Sequence, residues 1–247
     1  MLLTGKQPAE QLYAEIDARV ASASAVPGLF ALYDPEDKPA GWSLRSIQRA
    51  GAAHGVPVYA RDLSQGTELP QEKLGGMIVL SKPSSPIVIP PAMDVDGTGA
   101  DSFSTLYKGG LKDYPRNTPC TAEACVRLLD YYGVPVSGKH VVILGRSLTV
   151  GRPLAMLLLD RNATVTLCHS KTENLPALCR QADILICATG REGLVNADCV
   201  RLGQTLINVG GDAVEEEVSP IVENLCPFKG GVGALTTAVL FRHVTSL

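Results

Sequence analysis

The segment that is most informative about the fold is His140-Val-Val-Ile-Leu-Gly-Arg-Ser-Leu-Thr-Val-Gly-Arg-Pro153. Its apolar, β-rich first half ends at Gly145, turns through Arg146 and Ser147, and enters a helix at about Val150. A turn between the carboxyl end of a strand and the amino end of a helix presents unpaired backbone amides to a phosphate group. The stretch therefore predicts a nucleotide-binding α/β unit, although the glycines alone would also suit a tight turn with close helix packing.

Helix-like and strand-like patterns alternate on both sides of this turn. Strands are predicted at residues 28–33, 56–60, 77–80, 141–144, 163–168, 183–188 and 205–209, and helices at 7–23, 41–54, 121–132 and 236–243. Alternation of this kind is typical of βαβ units with a mainly parallel sheet. The predicted fold class is α/β with two domains, residues 1–118 and 119–235. The C-terminal helix, 236–247, is a candidate to pack back on the first domain.

The composition argues against several classes of function. The chain has 247 residues, a formal charge of -3 and a pI of about 5.8, so nucleic acid and anionic membranes are not expected partners. No apolar run is long enough to span a bilayer and the N-terminus does not read as a secretory signal, so a cytoplasmic location is expected. Seven cysteines without a Cys-x-x-Cys pair indicate reduced thiols, with Cys168, Cys179 and Cys187 expected to be buried. No residues have zinc-ligand spacing, so no metal is predicted.

The residues after the next strand indicate which dinucleotide binds. That strand ends in Cys168-His-Ser-Lys-Thr172, where the adenosine ribose should lie. An enzyme that uses NAD usually places an acidic residue there to accept a hydrogen bond from the ribose 2′-hydroxyl. This chain has Ser170 and Lys171 instead, with Arg146 across the turn, and these groups suit a 2′-phosphate. NADP is therefore the predicted cofactor, while Glu173, the nearest acid, keeps NAD as the alternative.

Three further segments that contain glycine are candidates for the nicotinamide end of the site. Ala188-Thr-Gly190 and Asn208-Val-Gly-Gly211 would let the backbone approach the ribose and the nicotinamide. Lys229-Gly-Gly-Val-Gly233, which precedes Ala-Leu-Thr236, could form a nest of backbone amides. From the residues alone, a flexible glycine turn before the last helix is an equally good interpretation.

A set of short motifs runs through nearly the whole chain, most densely between residues 119 and 190. The motifs are Pro27-Gly-Leu29, Asp94-Val-Asp-Gly97, Pro119-Cys-Thr121, Gly145-Arg-Ser147 with Val150-Gly151 and Pro153, Ala163-Thr-Val-Thr166, Cys168-His-Ser-Lys-Thr172, Ala182-Asp-Ile-Leu185 and Gly230-Gly-Val-Gly233. Together they resemble the methylenetetrahydrofolate dehydrogenase/cyclohydrolase family. The resemblance implies an N-terminal α/β folate domain, a C-terminal Rossmann-type NADP domain and a cleft between them. It also implies a tetrahydrofolate derivative as substrate and a homodimer.

The turns and the resemblance together predict the residues of the site. The predicted cofactor-binding residues are Gly145, Arg146, Ser147, Val150, Gly151, Pro153, His169, Ser170, Lys171, Thr189, Gly190, Gly211, Gly231, Gly233 and Thr236. The predicted substrate-binding residues are Asp96, whose counterpart in the family holds the pterin ring, and Ser43. As an alternative, Asp94 and Asp96 could merely shape an Asx-type turn.

The first domain departs from the family at its catalytic positions. Counted back from Gly55, the family's Tyr and Lys positions fall on Ser43 and Ile47, and its Gln position falls on Leu80. The family has a Lys immediately before the Asp-Val-Asp-Gly motif, and this chain has Met93 there. No residue is therefore assigned a catalytic role. Oxidation of the methylene bridge mainly requires positioning of the donor carbon against the cofactor, whereas hydrolysis of the methenyl product requires an acid/base group.

Three functions are compatible with this pattern. The leading prediction is an NADP-dependent methylenetetrahydrofolate dehydrogenase of one-carbon metabolism whose cyclohydrolase activity is weak or lost. The second is a diverged paralogue that acts on another pterin or on a different small substrate. The third is a non-catalytic protein that binds folate or NADP.

Overall fold

The computed structural model of the protein describes residues 1–110 and 114–246. The chain divides into two compact units. The N-terminal unit comprises residues 10–104, 114–120 and 237–246, and the C-terminal unit comprises residues 1–9, 105–110 and 121–236. Residues 1–9 and 105–110 therefore group with the later part of the chain, whereas the sequence prediction assigned them to the first domain.

The N-terminal unit is built on three parallel strands, β1 (Gly28–Tyr33), β2 (Val58–Asp62) and β3 (Leu74–Val79). The strand order in this sheet is β2-β1-β3. Helix α1 (Lys6–Ser22) precedes β1, α2 (Lys38–Ala53) connects β1 to β2, and α3 (Ala100–Lys108) follows β3. The Asp37 side chain caps α2 by accepting a hydrogen bond from the Ala40 amide at 3.2 Å, so the helix begins where the sequence offers an N-cap.

The C-terminal unit is built on five parallel strands, β4 (His140–Leu144), β5 (Thr164–Cys168), β6 (Ile184–Cys187), β7 (Thr205–Asn208) and β8 (Asn224–Cys226). The later helices are α4 (Cys120–Tyr131), α5 (Gly151–Leu159), α6 (Leu175–Gln181), α7 (Glu215–Val218) and α8 (Val232–Thr245). Of α8, residues 237–245 group with the N-terminal unit. The strand order is β5-β4-β6-β7-β8. From β4 the chain continues to β5 on one side, and strands β6, β7 and β8 follow on the other side. The strand order therefore reverses at β4, and α/β sheets bind ligands at the carboxyl ends of the strands at such a switch point.

The core of the C-terminal unit explains why its strands are apolar throughout. Val141, Val142, Ile143 and Leu144 are all at most 1% exposed, as expected for a parallel strand covered on both faces. All seven cysteines are buried and reduced, which confirms the expectation for the three thiols singled out from the sequence. Within the described ranges, no helix is long and apolar enough to cross a membrane.

The α/β prediction is confirmed, and every predicted strand and helix is present within a few residues of its predicted bounds. Helices α3, α6 and α7 and strand β8 had no predicted bounds. The hydroxyl-rich stretch after Gly97 reads locally as a loop, but α3 begins there because the Asp94 carboxylate accepts hydrogen bonds from the amides of Thr98 (3.0 Å) and Gly99 (2.9 Å). Strand β8 has only three residues, too few to show a periodic pattern.

Candidate functional site

The turn after β4 is held in a conformation that only glycine can adopt. Gly145 has a φ angle of +110°, and a Cβ atom on it would lie 2.4 Å from the carbonyl oxygen of Ala188. Its amide donates to the Cys168 carbonyl at 2.9 Å. The strand end is thus fixed on both sides by its neighbours in the sheet, and its bare backbone faces the switch point.

The first turn of α5 lies directly against this strand end. A Cβ atom on Gly151 would lie 2.0 Å from the carbonyl oxygen of Gly145. The Ser147 hydroxyl accepts hydrogen bonds from the amides of Val150 (3.0 Å) and Gly151 (3.4 Å), so it fixes the turn that leads into the helix. Pro153 is buried in the same turn, where its missing amide hydrogen is tolerated. No acidic side chain occupies this turn, which leaves the positive end of the helix dipole available to an anion.

A cavity of about 420 Å³ lies at the carboxyl ends of β4, β5 and β6. It brings together four predicted cofactor-binding residues, Gly145, His169, Ser170 and Thr189. The other lining residues comprise three leucines (Leu144, Leu175 and Leu194) and Cys168, Thr172 and Arg191. An apolar wall with a few polar groups is the usual composition of a site for a small molecule or cofactor.

The turn after β5 gives this cavity its polar rim. The His169 amide donates to the Thr172 hydroxyl at 2.9 Å, and the Lys171 amide donates to His169 Nδ1 at 3.1 Å. These bonds close a tight turn that leaves Ser170 and Lys171 exposed. Lys171 is not part of the cavity lining, and neither is Arg146, which is exposed on the turn after β4.

The loop after β6 is fixed by a residue that the sequence analysis missed. The Asp212 carboxylate, which is fully buried, accepts hydrogen bonds from the Thr189 amide (3.1 Å), the Thr189 hydroxyl and the Arg191 amide (3.2 Å). The Asp212 amide in turn donates to Asn208 Oδ1 at 2.8 Å. An Asp after Gly-Gly is typical of an ordinary turn. Its role becomes visible only because the loop after β7 lies beside the loop after β6. Gly190, with a φ angle of +70°, lies in the loop that Asp212 holds.

The remaining predicted cofactor residues lie elsewhere. Gly211 lines a second cavity of about 480 Å³ with Phe228, Lys229 and Glu215. Gly231 is packed too tightly for any side chain, since its Cβ atom would lie 1.9 Å from the Pro227 carbonyl oxygen. Gly233 and Thr236 belong to α8, and the Thr236 hydroxyl donates back to the Val232 carbonyl at 3.1 Å. None of these three residues lines either cavity. Helix α8 begins at Val232, so part of the glycine segment is helical.

The three residues that the sequence analysis matched to the family's catalytic positions carry no acid/base side chain. Ile47 on α2 is only 5% exposed, and Ser43 is exposed one turn earlier on the same helix. Leu80, which follows β3, is partly buried and its amide donates to the Leu32 carbonyl at 2.8 Å. A lysine at position 47 would have to place its ammonium group in an apolar environment, which is costly without a partner.

Asp96 and Asp94 have different roles in the Asp-Val-Asp-Gly motif. Asp94 shapes the local turn, as its bonds to the amides of Thr98 and Gly99 show. Asp96 accepts instead from the Cys120 amide, 24 residues away, at 3.0 Å. Burial raises the pKa of the Asp96 carboxyl above its ordinary value, and the hydrogen bond from Cys120 and the charge of His243 oppose that rise. The Asx-turn interpretation therefore holds for Asp94 and not for Asp96.

Within residues 1–110 and 114–246, no three His, Cys, Asp or Glu side chains are grouped closely enough to hold a metal ion.

The strand order, the glycine turn after β4 and the cavity at the switch point define the C-terminal unit as a Rossmann-type nucleotide-binding fold. Residues 119–247 match the model of the tetrahydrofolate dehydrogenase/cyclohydrolase NAD(P)-binding domain. The chain belongs to the tetrahydrofolate dehydrogenase/cyclohydrolase family, which confirms the resemblance seen in its motifs.

Relatives and solved structures match nearly the whole chain. The bifunctional protein FolD of Carboxydothermus hydrogenoformans is 36% identical, and the match covers 98% of this chain and 94% of the relative. FolD of Thermus thermophilus is 38% identical with the same coverages. Among solved structures, FolD of Campylobacter jejuni superposes with a TM-score of 0.87 at 27% identity, covering 99% of this chain and 97% of that one. FolD of Trypanosoma brucei, solved with NADP and an inhibitor, superposes with a TM-score of 0.88 at 26% identity, covering 99% and 95%.

Proposed function

We propose that the protein is an NADP-dependent 5,10-methylenetetrahydrofolate dehydrogenase whose methenyltetrahydrofolate cyclohydrolase activity is weak or absent. One observation carries the proposal: the cofactor side of the site is built, while the acid/base positions are not. The glycine turn and the cavity at the switch point fit a dinucleotide. Ile47 and Leu80, in contrast, offer no proton donor or acceptor.

The residues present fit NADP. The turn from Gly145 to Gly151 would place the pyrophosphate at the amino end of α5, where the helix dipole favours an anion. Both positions require glycine, because neighbouring backbone excludes a side chain. Ser170 on the cavity rim, with the exposed cations Lys171 and Arg146 on the neighbouring turns, would hold the ribose 2′-phosphate. NADP when bound supplies the acceptor for a hydride from the methylene carbon. The relative from T. brucei, solved with NADP, supports this choice of cofactor.

The two reactions of the family make different demands on the protein. For hydride transfer, the chain must hold the donor carbon in near-attack geometry and exclude water, and binding groups such as Asp96 are sufficient for that. Hydrolysis needs a positioned group that moves protons as the ring opens, and such groups typically contribute about 10²–10⁴-fold in rate. The absence of one at Ser43, Ile47 and Leu80 supports a loss of hydrolysis with retention of hydride transfer.

Asp96 is the proposed substrate anchor. Its carboxyl is partly buried and keeps only one backbone donor, the Cys120 amide, among the hydrogen bonds described for it. A carboxylate with remaining acceptor sites can receive hydrogen bonds from the amino and ring N–H groups of a pterin. Ser43, which is exposed on α2, is proposed only as a secondary donor to substrate.

The purified protein tests this proposal in two separate assays. Methylenetetrahydrofolate is supplied with NADP or with NAD, and hydrolysis of methenyltetrahydrofolate is measured against its spontaneous rate. Reduction of NADP without accelerated hydrolysis is the expected result, and robust hydrolysis would contradict it. If neither activity is found while calorimetry detects NADP binding, the protein is a non-catalytic binder or uses another substrate.

The cofactor assignment has its own test. Arg146→Ala should weaken binding of NADP more than binding of NAD, and equal losses would refute a contact with the 2′-phosphate. The homodimer implied by the family resemblance is part of the same proposal. Sedimentation velocity of the purified chain should give the mass of two copies.

A further inference from the structure

Arg191 lines the same cavity as Ser170, which is predicted to lie at the adenosine ribose. Of the ten described residues that line the 420 Å³ cavity, Arg191 alone carries a permanent charge, and Ser170 lies in the same lining. Lys171 and Arg146, which the sequence suggested for this task, are outside the lining. A phosphate held by Ser170 would therefore lie in a cavity that Arg191 also lines.

The guanidinium of Arg191 is available for a ligand. The ion pairs described for the C-terminal unit join other residues, such as Arg201 with Asp183 and Arg161 with Asp130. In the part of the chain that the structure describes, no carboxylate forms an ion pair with Arg191. Its side chain is exposed, so its position is not explained by packing.

The backbone that carries Arg191 is fixed although its side chain is exposed. The Arg191 amide donates to the buried Asp212 carboxylate (3.2 Å) and to the Thr189 hydroxyl (3.2 Å). Asp212 thereby determines where the side chain leaves the loop. A cation on a rigid backbone loses less conformational freedom on binding than one on a mobile loop.

We propose that Arg191 contributes to selectivity for NADP over NAD by binding the phosphate on the adenosine ribose, and that Asp212 positions it. This inference rests on the proposed use of NADP. A guanidinium matches two phosphate oxygens with two parallel hydrogen bonds, which a lysine cannot reproduce. Ser170 would supply a hydroxyl to the phosphate, and Arg191 would supply a positive charge. Lys171, on the turn after β5, does not line the cavity.

Half-molecules of the cofactor test this role without any catalytic step. Calorimetry compares 2′,5′-ADP, which carries the ribose phosphate, with 5′-AMP, which lacks it. Arg191→Gln should weaken 2′,5′-ADP by about tenfold, the loss of a charged hydrogen bond, and leave 5′-AMP nearly unchanged. Arg191→Lys should fall between the two because it keeps the charge and loses the paired geometry. Arg180→Gln removes the same charge from α6, outside the cavity lining, and should leave both affinities unchanged.

Each other outcome has a definite meaning. Equal weakening of both ligands by Arg191→Gln would overturn the inference and place the guanidinium against the adenine ring. No change with either ligand would overturn it as well. If the unmutated protein itself does not prefer 2′,5′-ADP, the proposed cofactor is wrong and the inference falls with it. Retention of the preference in Arg191→Gln removes only the inference. A thermal unfolding curve for each variant confirms that it is folded.

Discussion

A Cβ atom on Gly151 would lie 2.0 Å from the carbonyl oxygen of Gly145, so the first turn of α5 and the end of β4 meet backbone to backbone. This contact allows the amino end of the helix to approach whatever lies at the switch point. By contrast, a Cβ atom on Gly233, in the first turn of α8, would meet nothing within 4 Å. Two helix-terminal glycines of the same unit therefore have opposite steric surroundings.

Gly151→Ala should destabilise the protein by about 1–3 kcal/mol, because the methyl group forces the helix away from the strand. The same displacement should weaken NADP binding. Gly233→Ala is the matched control and should stabilise by about 0.5–1 kcal/mol, since alanine restricts the unfolded chain without a clash. Urea unfolding of both variants measures the difference. Equal free energies of unfolding would show that α5 can move without cost.

Asp212 should be replaceable by Asn at smaller cost than by Ala. Asp212→Ala removes the acceptor for the amides of Thr189 and Arg191, and loss of such buried partners costs about 1–3 kcal/mol. Asp212→Asn keeps one acceptor oxygen and should retain much of the stability and of the NADP affinity. Urea unfolding and a calorimetric titration with NADP separate the two variants. If both lose stability equally, the loop is not held by these hydrogen bonds.

Asp96→Asn should change how stability depends on pH. Burial raises the pKa of Asp96 above its ordinary value of 3.8, so the folded state holds the proton more tightly than the unfolded state. The stability contributed by this proton is therefore present below the ordinary value and is lost as the pH rises through the folded-state pKa. The amide of Asn keeps an acceptor for Cys120 and has no proton to lose. Unfolding free energies measured upward from about pH 4 should fall more in the unmutated protein than in the variant. Parallel curves would show that this carboxyl does not titrate abnormally.

Ile47→Lys should not simply restore a catalytic lysine. Position 47 is only 5% exposed, and an unpaired ammonium group there should cost roughly 3 kcal/mol or more. Ser46→Lys, one residue earlier on the exposed side of α2, should change stability by no more than about 0.5 kcal/mol. Urea unfolding measures both. An Ile47→Lys protein of normal stability would mean that this position opens to water or to a partner charge.

Local patterns predicted most of the fold. Continuous apolar strands such as Val141–Leu144 and amphipathic helices such as α2 are recognisable because their periodicity lies within a few residues of sequence. Helix α3 was missed because Asp94, outside the helix, supplies the acceptor that starts it. The short strand β8 was missed because its hydrogen bonds come from its neighbour β7 and not from its own pattern.

Some residues of the candidate site could be predicted from local patterns, and others could not. Gly145, Ser170 and Thr189 follow three strands, and parallel strands end at one edge, so their convergence on one cavity was foreseeable. Arg191 and Asp212 were not singled out, since an Arg after Thr-Gly and an Asp after Gly-Gly are common in loops. Gly231, Gly233 and Thr236 were assigned to the cofactor, but the structure gives Gly231 a packing role and places the other two within α8.

The longer strands and helices and the place of the glycine turn follow from the amino-acid sequence alone, because they depend on neighbours along the chain. The hydrogen bonds by which Asp212 holds the loop of Thr189 and Arg191 depend on the tertiary structure. So does the burial of Ile47, the residue matched to the family's lysine. Those relationships join residues far apart in the sequence or depend on burial. Hydrogen bonds and desolvation act through space, and a linear pattern does not record which side chains fold against one another.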